Sequence, residues 1–345
     1  MTVLVLNSKR FGEHTPPPGH PERPERQDVM DAVAGEFRLR GGRVAEPVPA
    51  PRDAILRVHS EGFLQALESA AGRAVMLDPD TFTSSGSWEI TQLAAGAACG
   101  AVDAVLEGPS TRVAALVRPP GHHSNRDLAR GFCLVNNAAV AAAHALARGL
   151  ARVTIVDFDV HHGNGTQEIF EADQRVLYVS THQWPFYPGT GPADDVGAGA
   201  GRGFTVNVPM ERGAADADYD LVFDQIVVPV TRRFNPELVI ISAGFDAHEA
   251  DPIGAMRMST GGFARLTARL CGVADDCASG RVVLVTEGGY SLRALAESLS
   301  SSLAAMEGGA PREAVPAGAG DMDVRRGRAA VRQARAVQSA FWRGL

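Results

Sequence analysis

The amino-acid sequence predicts an α/β fold in which a mostly parallel β-sheet is covered on both faces by helices. Short runs of β-branched and other apolar residues recur along the chain, as in strands that are buried on both faces. Helical stretches separate these runs, and strands that alternate with helices favour a parallel sheet. The predicted strands are residues 3–6, 113–117, 153–156, 176–179, 204–208, 238–241 and 282–285.

The helices between these strands are predicted from alanine-rich and leucine-rich stretches with apolar residues at helical spacing. They are residues 88–106, 137–147, 216–234, 263–277 and 292–306. The segments 14–24 and 183–203 are rich in turn-forming residues, and a loop of about 20 residues in a compact domain is usually functional or disordered. We expect one domain over residues 1–345, with a linker at 308–320 and a C-terminal helix at 325–345 that packs on it.

The composition limits the class of protein. The chain has 345 residues, of which 45% are hydrophobic and 21% charged, as in ordinary soluble domains. A net charge of −7 argues against nucleic-acid or anionic-membrane partners. No stretch approaches the roughly 18 apolar residues of a membrane span. Lys9 is the only lysine, which excludes phosphate-loop and Schiff-base enzymes. Four cysteines without C-x-x-C spacing indicate a reduced, cytoplasmic protein.

Residues able to do chemistry follow directly after five of the predicted strands. In open parallel sheets, ligands bind outside the carboxyl ends of the strands. Packing alone does not explain five strand ends that carry such side chains. These side chains include His122, His123, Asp157, Asp159, His161, His182, Asp246 and Tyr290.

Asp157, Asp159 and His161 alternate along the chain, so an extended backbone would point all three side chains the same way, whereas a turn after Asp157 would alter this. Asp246 follows another strand and could supply a further ligand. Carboxylates and imidazole suit Zn²⁺ or a similar divalent ion, and this set would leave a position open for water and substrate. A helix capped by aspartate explains one such residue, but it does not explain three adjacent candidates.

His122 and His123 form a tandem pair after a Pro-Pro-Gly turn, which favours general acid–base work. Asp157 and Asn164 are candidates to orient their second ring nitrogens. The phenol of Tyr290 could stabilise an oxyanion, although a Gly-Gly-Tyr turn without a catalytic role is common. The histidines without comparable neighbours are expected to be structural; they are His14, His20, His59 and His144.

Read together, these motifs resemble the zinc-dependent histone deacetylase family, which includes bacterial deacetylase-like amidohydrolases and acetylpolyamine amidohydrolases. Six motifs occur in family order between residues 19 and 290. They are GHPERPER at 19–26, PGHH at 120–123, GFC at 131–133, DFDVHHGNGT at 157–166, SAGFD at 242–246 and EGGY at 287–290.

The resemblance implies an arginase/deacetylase-like three-layer α/β/α sandwich and a metal-dependent deacetylase that acts on acyl-lysine side chains. It implies Zn²⁺ on Asp159, His161 and Asp246. It also implies the following roles: His122 as base and His123 as acid, supported by Asp157 and Asn164; Tyr290 as oxyanion donor; Phe132, Tyr187, Gly131, Ile253 and Asp80 at the substrate; Arg26 in an acetate-release cavity; and K⁺ on Asp157, Asp159, His161 and Ser180.

Three positions depart from patterns within the family. Asn164 stands where some branches have aspartate, and Tyr187 where phenylalanine is frequent. Ile253 stands where a polyamine-specific branch places glutamate, so it gives no partner for an internal ammonium group. The alternatives are an acetylpolyamine or other small N-acyl amine deacetylase, an arginase-like ureohydrolase with two metal ions, and a non-catalytic binding protein. A homo-oligomer is an open alternative for the assembly state.

Overall fold

The computed structural model describes residues 2–309 and 324–345. Its strands are β1 (Val3–Asn7), β2 (Arg43–Ala45), β3 (Met76–Asp78), β4 (Thr81–Phe82), β5 (Arg112–Leu116), β6 (Val153–Asp157), β7 (Val176–Gln183), β8 (Thr205–Met210), β9 (Leu238–Ala243) and β10 (Val282–Thr286). Eight of them form one sheet in the order β2-β1-β5-β10-β9-β6-β7-β8, with every neighbouring pair parallel. All seven predicted strands are confirmed; β2, β3 and β4 were not predicted.

Helices cover both faces of this sheet. They are α1 (Glu25–Leu39), α2 (Arg52–Leu56), α3 (Glu61–Ser69), α4 (Ser87–Glu107), α5 (Asn137–Ala147), α6 (Asn164–Phe170), α7 (Asp216–Val222), α8 (Val228–Phe234), α9 (Thr260–Cys277), α10 (Leu292–Met306) and α11 (Arg325–Gln338). The α/β sandwich predicted from the sequence is therefore confirmed.

The side chains of β1 show why the sheet needs two helical layers. Val3 and Val5 join a buried cluster that includes residues of α1, α9 and α10. Leu4 and Leu6 point the opposite way and join a cluster that includes residues of α4 and α5. Successive side chains of a strand face opposite sides of the sheet, so an all-apolar strand is stable only when both faces are covered.

The predicted helix at 216–234 contains an unforeseen wide turn. Between α7 and α8, residues Phe223–Val227 form a π-turn, in which the Val228 N–H bonds to the carbonyl of Phe223, five residues back. Pro229 follows directly, and it has no N–H for a regular helical bond while its ring needs room beside the preceding turn. The wider turn gives that room without ending the helix.

The C-terminal helix ends at Gln338, earlier than the predicted 345, and turns complete the chain. Gln338 Nε2 donates to the carbonyl of Thr205 at 3.0 Å, and Trp342 Nε1 donates to that of Gly203 at 3.0 Å. These bonds attach the segment to β8 and to the loop before it. Most of the predicted linker at 308–320 lies outside the described residues, and the single-domain assignment stays a prediction.

One helix has the length and hydropathy of a membrane span, although the apolar runs of the sequence predicted none. Within α4, an 18-residue window reaches a mean hydropathy of 1.2. However, 67% of that window is buried inside the fold. Core helices of folded domains meet the same criterion, so this helix is weak evidence for a membrane.

Candidate active site

The strands whose ends carry the chemistry are neighbours in the sheet. The order places β5, β10, β9, β6 and β7 side by side, and all of them run in the same direction. Their carboxyl ends therefore lie at one edge, which is where an open parallel sheet binds ligands. The structure thus brings together the side chains that the sequence singled out after five separate strands.

Asp159, His161 and Asp246 converge below this edge, with one potential ligand atom from each within 4.8 Å of the others. His161 Nδ1 lies 3.0 Å from Asp159 Oδ1 and 3.2 Å from Asp246 Oδ2. Backbone N–H groups of Val160 and Gly288 donate to Asp246 Oδ1 and Asp159 Oδ2, each at 2.9 Å. Among the described residues, nothing makes a well-aligned hydrogen bond to Asp246 Oδ2. A buried oxygen of this kind is suited to a cation.

Two glycines make room for these carboxylates. A Cβ on Gly244 would lie 2.0 Å from Asp159 Oδ2, and one on Gly288 would lie 2.3 Å from Asp246 Oδ2. Real Cβ atoms do not approach other atoms this closely, so a side chain at either position would displace a carboxylate. Gly244 of the SAGFD motif and Gly288 of the EGGY motif are therefore needed for the two carboxylates to fit in the site.

The electrostatics of the two carboxylates also favour a bound cation. Burial raises the pKa of Asp246 to about 7, and the charge of Asp159 adds to that shift. Burial opposes ionisation of Asp159 as well, but His122 and His161 hold the pKa of its carboxyl well below the usual range. Two carboxylates forced together in a dry site repel each other unless positive charge lies between them.

The tandem histidines lie beside this group with ring centroids 4.1 Å apart. His122 Nδ1 is 3.0 Å from Asp157 Oδ2, and His123 Nδ1 is 2.8 Å from Asn164 Oδ1. Asn164 donates its amide N–H to Glu168 Oε1 at 3.1 Å, so its carbonyl oxygen faces His123. Both predicted orienting contacts are present, and one partner is charged while the other is neutral.

The two imidazoles titrate in opposite directions because of these surroundings. Burial lowers the pKa of His122, but the carboxylates of Asp159 and Asp157 outweigh burial and raise it to about 10. Burial, together with the charges of His122 and His161, lowers the pKa of His123 well below its usual value. The pair therefore divides into one imidazole that favours the charged form and one that favours the neutral form.

Tyr290 is 7% exposed and follows Gly289, whose φ of +123° lets the chain turn beneath the site. The Arg26 guanidinium carbon lies 5.1 Å from the centre of its ring. Burial raises the pKa of Tyr290 well above its usual value, and the nearby Arg26 opposes only part of that shift. The phenol therefore keeps its proton and can act as a hydrogen-bond donor.

Arg26 itself is fully buried. Its guanidinium donates to the carbonyls of Gly289 and Glu287 at 2.7 and 2.5 Å, and to Glu22 Oε1 at 2.9 Å. Arg26 thus lies directly behind the turn that bears Tyr290. Its expected role in releasing acetate stays a prediction.

The two aromatic side chains expected at the substrate lie beside Tyr290 and His123. The Phe132 ring lies 5.7 Å from that of Tyr290, and the Tyr187 ring, 40% exposed, lies 5.1 Å from that of His123. Gly131 lies against His123 and Tyr187, since a Cβ there would be 2.5 Å from the His123 ring and 3.0 Å from the Tyr187 hydroxyl oxygen. Asp80, half-buried, accepts a hydrogen bond from Thr81 Oγ1 at 3.2 Å.

Tyr290 also lines a groove of about 800 Å³. Its walls include Ile253 and Pro252, together with the proline-rich segment before α1. Phe132, Tyr187, Gly131 and Asp80 do not line this groove, but the Phe132 ring lies 4.5 Å from that of His20 and 5.7 Å from that of Tyr290, which both do. The predicted substrate residues therefore occupy two neighbouring surfaces that meet at Tyr290.

The sequence reasoning missed several side chains that hold the site together. Glu287 accepts backbone hydrogen bonds from Gly121 and His122 at 2.6 and 3.2 Å, and Phe186 stacks 5.2 Å from the His161 ring. His20, which we expected to be structural, lies 4.5 Å from the Phe132 ring and lines the groove. The position of Glu287 at the end of an apolar strand was a usable signal for a functional carboxylate.

The residues expected at a potassium ion lie on adjacent strands. Asp157 at the end of β6 is paired in register with Ser180 of β7, and both side chains are fully buried. Ser180 Oγ is 2.9 Å from His182 Nδ1, and Tyr178 donates its hydroxyl proton to Asp157 Oδ2 at 3.1 Å. The structure thus brings Asp157 and Ser180 together.

Comparison with known proteins gives consistent results. The sequence profile of the histone deacetylase domain matches residues 20–306. A "Probable deacetylase" of Archaeoglobus fulgidus is 39% identical over 312 residues, covering 89% of this chain and 87% of that protein. The "Histone deacetylase-like amidohydrolase" of Pseudomonas aeruginosa is 41% identical over 282 residues, covering 79% of this chain and 73% of that protein.

Two further comparisons extend this picture. The human "Polyamine deacetylase HDAC10" is 43% identical over 291 residues, covering 82% of this chain but only 41% of that longer protein. The crystal structure of the HDA15 HD domain is similar over 99% of this chain and 95% of that chain, with a TM-score of 0.90 and 36% sequence identity. The similarity extends over both the sheet and its helical layers.

Proposed function

Because this chain belongs to the histone deacetylase family, we propose that it is a zinc-dependent amidohydrolase that removes acetyl or other short acyl groups from N-acylated lysine side chains. Its fold is of the arginase/deacetylase type, and relatives named as deacetylases and amidohydrolases support hydrolysis of an amide. One observation carries the proposal. A buried set of two carboxylates and one imidazole lies beside two paired histidines and the buried phenol of Tyr290.

We propose that Asp159, His161 and Asp246 hold the zinc ion. Two carboxylates and an imidazole are ligands that Zn²⁺ prefers, and three protein ligands leave a position open. Asp246 Oδ2, which receives no well-aligned hydrogen bond from the part of the chain that the structure describes, supports this set, as does the close approach of both carboxylates to His161. When bound, zinc would polarise the amide carbonyl and increase the acidity of a water molecule.

The hydrogen bonds of the histidines favour exchanging the roles expected from the sequence. His122 is paired with the charged Asp157, which stabilises an imidazolium, whereas His123 is paired with the neutral amide of Asn164. In the proposed reaction, His123 Nε2 takes the proton from the attacking water. His122 donates its proton to the leaving amine, and Tyr290 donates a hydrogen bond to the oxygen of the former carbonyl.

A potassium ion is a further part of the proposal. Asp157 and Ser180 would bind it together with the backbone carbonyls of Asp159 and His161. The in-register pairing of Asp157 with Ser180 and their complete burial support this assignment. When bound, the ion would hold in place Asp157, the carboxylate that contacts His122 Nδ1.

A polyamine substrate is the second candidate, because a relative 43% identical to this chain is named a polyamine deacetylase. Against it, Ile253 lines the groove at Tyr290 and offers no charge to a substrate ammonium. A direct comparison of kcat/KM on an acetyl-lysine peptide and on acetylated spermidine distinguishes the two. We expect the peptide to be preferred, and a tenfold preference for acetylspermidine would support the second candidate.

A further inference from the structure

We propose that Asp251 is a positioning residue that fixes both the groove wall at Ile253 and the backbone of Tyr290, and so couples substrate binding to the placement of the phenol. Asp251 belongs to none of the six family motifs, and it is not among the residues described above as part of the candidate active site. The proposal deepens the proposed function and rests on it, because it assumes that Tyr290 acts in the reaction.

The hydrogen bonds of the Asp251 carboxylate divide between two segments. Oδ1 accepts from the backbone N–H groups of Ile253 and Gly254 at 2.9 and 3.5 Å. Oδ2 accepts from those of Tyr290 and Ser291 at 2.7 and 3.1 Å, 39 and 40 residues further along the chain. The four N–H groups belong to two loops that are separated along the chain by α9 and β10.

This side chain is 7% exposed. A buried carboxylate is costly unless hydrogen bonds compensate it, and four backbone N–H groups do so here. Only a carboxylate presents two acceptor oxygens to two different loops, because the amide of asparagine has one oxygen and one donor group. Replacing Asp251 by asparagine therefore leaves one of the two loops facing an N–H₂ group instead of an acceptor.

The place of Asp251 explains why two distant loops form one surface. Ile253 and Tyr290 both line the groove of about 800 Å³. On the far side of the loop, Gln183 Oε1 accepts from the N–H of Ala255 at 3.0 Å and holds the other end of the segment. Movement of the groove wall would therefore act on Tyr290 through the carboxylate of Asp251.

The first test is a double-mutant cycle on the zinc-loaded protein. We expect Asp251→Asn to lower kcat by about 10- to 100-fold, since misplacing a reacting group by about 1 Å can cost about 10²-fold in rate. In a Tyr290→Phe background the same change should lower kcat less than about threefold, because coupled residues are not additive. Asp251→Asn should also change KM, because Asp251 holds the groove wall at Ile253. That change in KM should remain in the Tyr290→Phe background. Equal losses of kcat in both backgrounds would overturn the proposal.

The second test does not need activity. The chain has 4 tyrosines, so protein labelled with 3-fluorotyrosine should give four ¹⁹F resonances, and the Tyr290→Phe variant identifies that of Tyr290. We expect Asp251→Asn to shift or broaden the Tyr290 resonance and to leave that of Tyr178 unchanged. An unchanged Tyr290 resonance would overturn the proposal even if the enzyme proved to have another substrate.

Asp218 offers a matched control. It is also buried, and its two oxygens accept from the backbone N–H groups of Gly327 and Ala215 at 2.6 and 3.0 Å, between α11 and the start of α7. Asp218→Asn should lower the free energy of unfolding by about as much as Asp251→Asn does. It should neither shift the Tyr290 resonance nor change kcat. A shift of the Tyr290 resonance in both variants would show a general loosening and would overturn the specific role of Asp251. A wild-type protein without deacetylase activity would instead contradict the proposed function.

Discussion

At the scale of single residues, the site combines carboxylates and imidazoles whose protonation depends on their immediate neighbours. The carboxylates of Asp159 and Asp246 are pressed together around His161, and the histidines beside them differ mainly in the charge of their partners. Removing one of the two histidines, or adding a methyl group beside a carboxylate, should therefore have a specific effect on catalysis or on metal binding. Two predictions follow from these contacts.

The first prediction concerns the roles of the two histidines. An aryl acetate ester needs no acid for its leaving group, whereas an amide does. We expect His122→Ala to lose most activity on an acetyl-lysine peptide but to keep much of it on the ester, because the base His123 remains. His123→Ala should lose activity on both substrates. The opposite pattern in paired kcat/KM measurements would restore His122 as the base.

The second prediction concerns the space around the carboxylates. Gly288→Ala would place a Cβ 2.3 Å from Asp246 Oδ2, so we expect the purified variant to lose bound metal and nearly all turnover. Gly272→Ala in α9 is the control, because a Cβ there meets nothing within 4 Å. Metal analysis of both variants checks this, and a fully metallated Gly288→Ala protein would argue against the proposed ligand set.

At the scale of secondary-structure elements, a short turn determines where the Phe132 wall lies. Arg130 and Cys133 exchange backbone hydrogen bonds at 3.1 and 3.0 Å, and the two residues between them have φ angles of +58° and +69°. Such a turn suits glycine at Gly131 but costs about 1 kcal/mol or more for Phe132. Thr81, from the small antiparallel pair β3–β4, accepts the Phe132 N–H at 3.0 Å and compensates part of that cost.

The third prediction tests this turn. Thr81→Val keeps the shape of the side chain but removes the acceptor, so we expect KM to rise by about three- to tenfold, in line with the loss of about 1 kcal/mol for one hydrogen bond. The kcat should change little, because the role proposed for Phe132 is to form a wall beside the substrate and not to touch the reacting atoms. Thr81→Ser, which retains the hydroxyl, should behave as wild type. An unchanged KM in the valine variant would show that Phe132 is held by packing alone.

Elements also show what the sequence could and could not predict. The main-sheet strands other than β2 could be predicted because burial on both faces leaves an unbroken apolar run, and the long helices other than α1 because they show regular apolar spacing. The role of Thr81 could not be predicted, since its partner Phe132 is 51 residues away, and the two loops joined by Asp251 are 39 residues apart. Local patterns identify elements, but contacts between distant loops depend on tertiary packing. Helix α1 was missed although its buried Met30, Val33, Ala34 and Phe37 follow helical spacing.

At the scale of the whole molecule, two buried clusters on opposite faces hold the sheet rigid, and the site occupies one edge of it. A rigid sheet can keep like charges close together, since the folding energy of both clusters opposes their repulsion. Stability and metal binding should therefore be linked through the site.

The fourth prediction follows from this link. In metal-free protein above about pH 7 we expect Asp246→Asn to raise the unfolding midpoint, because burial and the charge of Asp159 raise the pKa of Asp246 to about 7, so that its ionised form destabilises the fold above that pH. Added zinc should raise the midpoint of the wild type and leave that of the variant nearly unchanged. Thermal unfolding with and without zinc measures both effects. A variant that is less stable than the wild type without metal would show that the carboxylates do not repel.

The central claim is that one zinc ion on Asp159, His161 and Asp246 is required for amide hydrolysis. The most direct measurement removes the metal with a chelator, restores zinc in steps, and records bound zinc and released acetate on the same samples with an acetyl-lysine peptide. We predict no acetate without metal and a rate that rises with zinc to a plateau at one ion per chain. Unchanged acetate release from the stripped protein, or two manganese ions per chain as in an arginase-like ureohydrolase, would contradict the account.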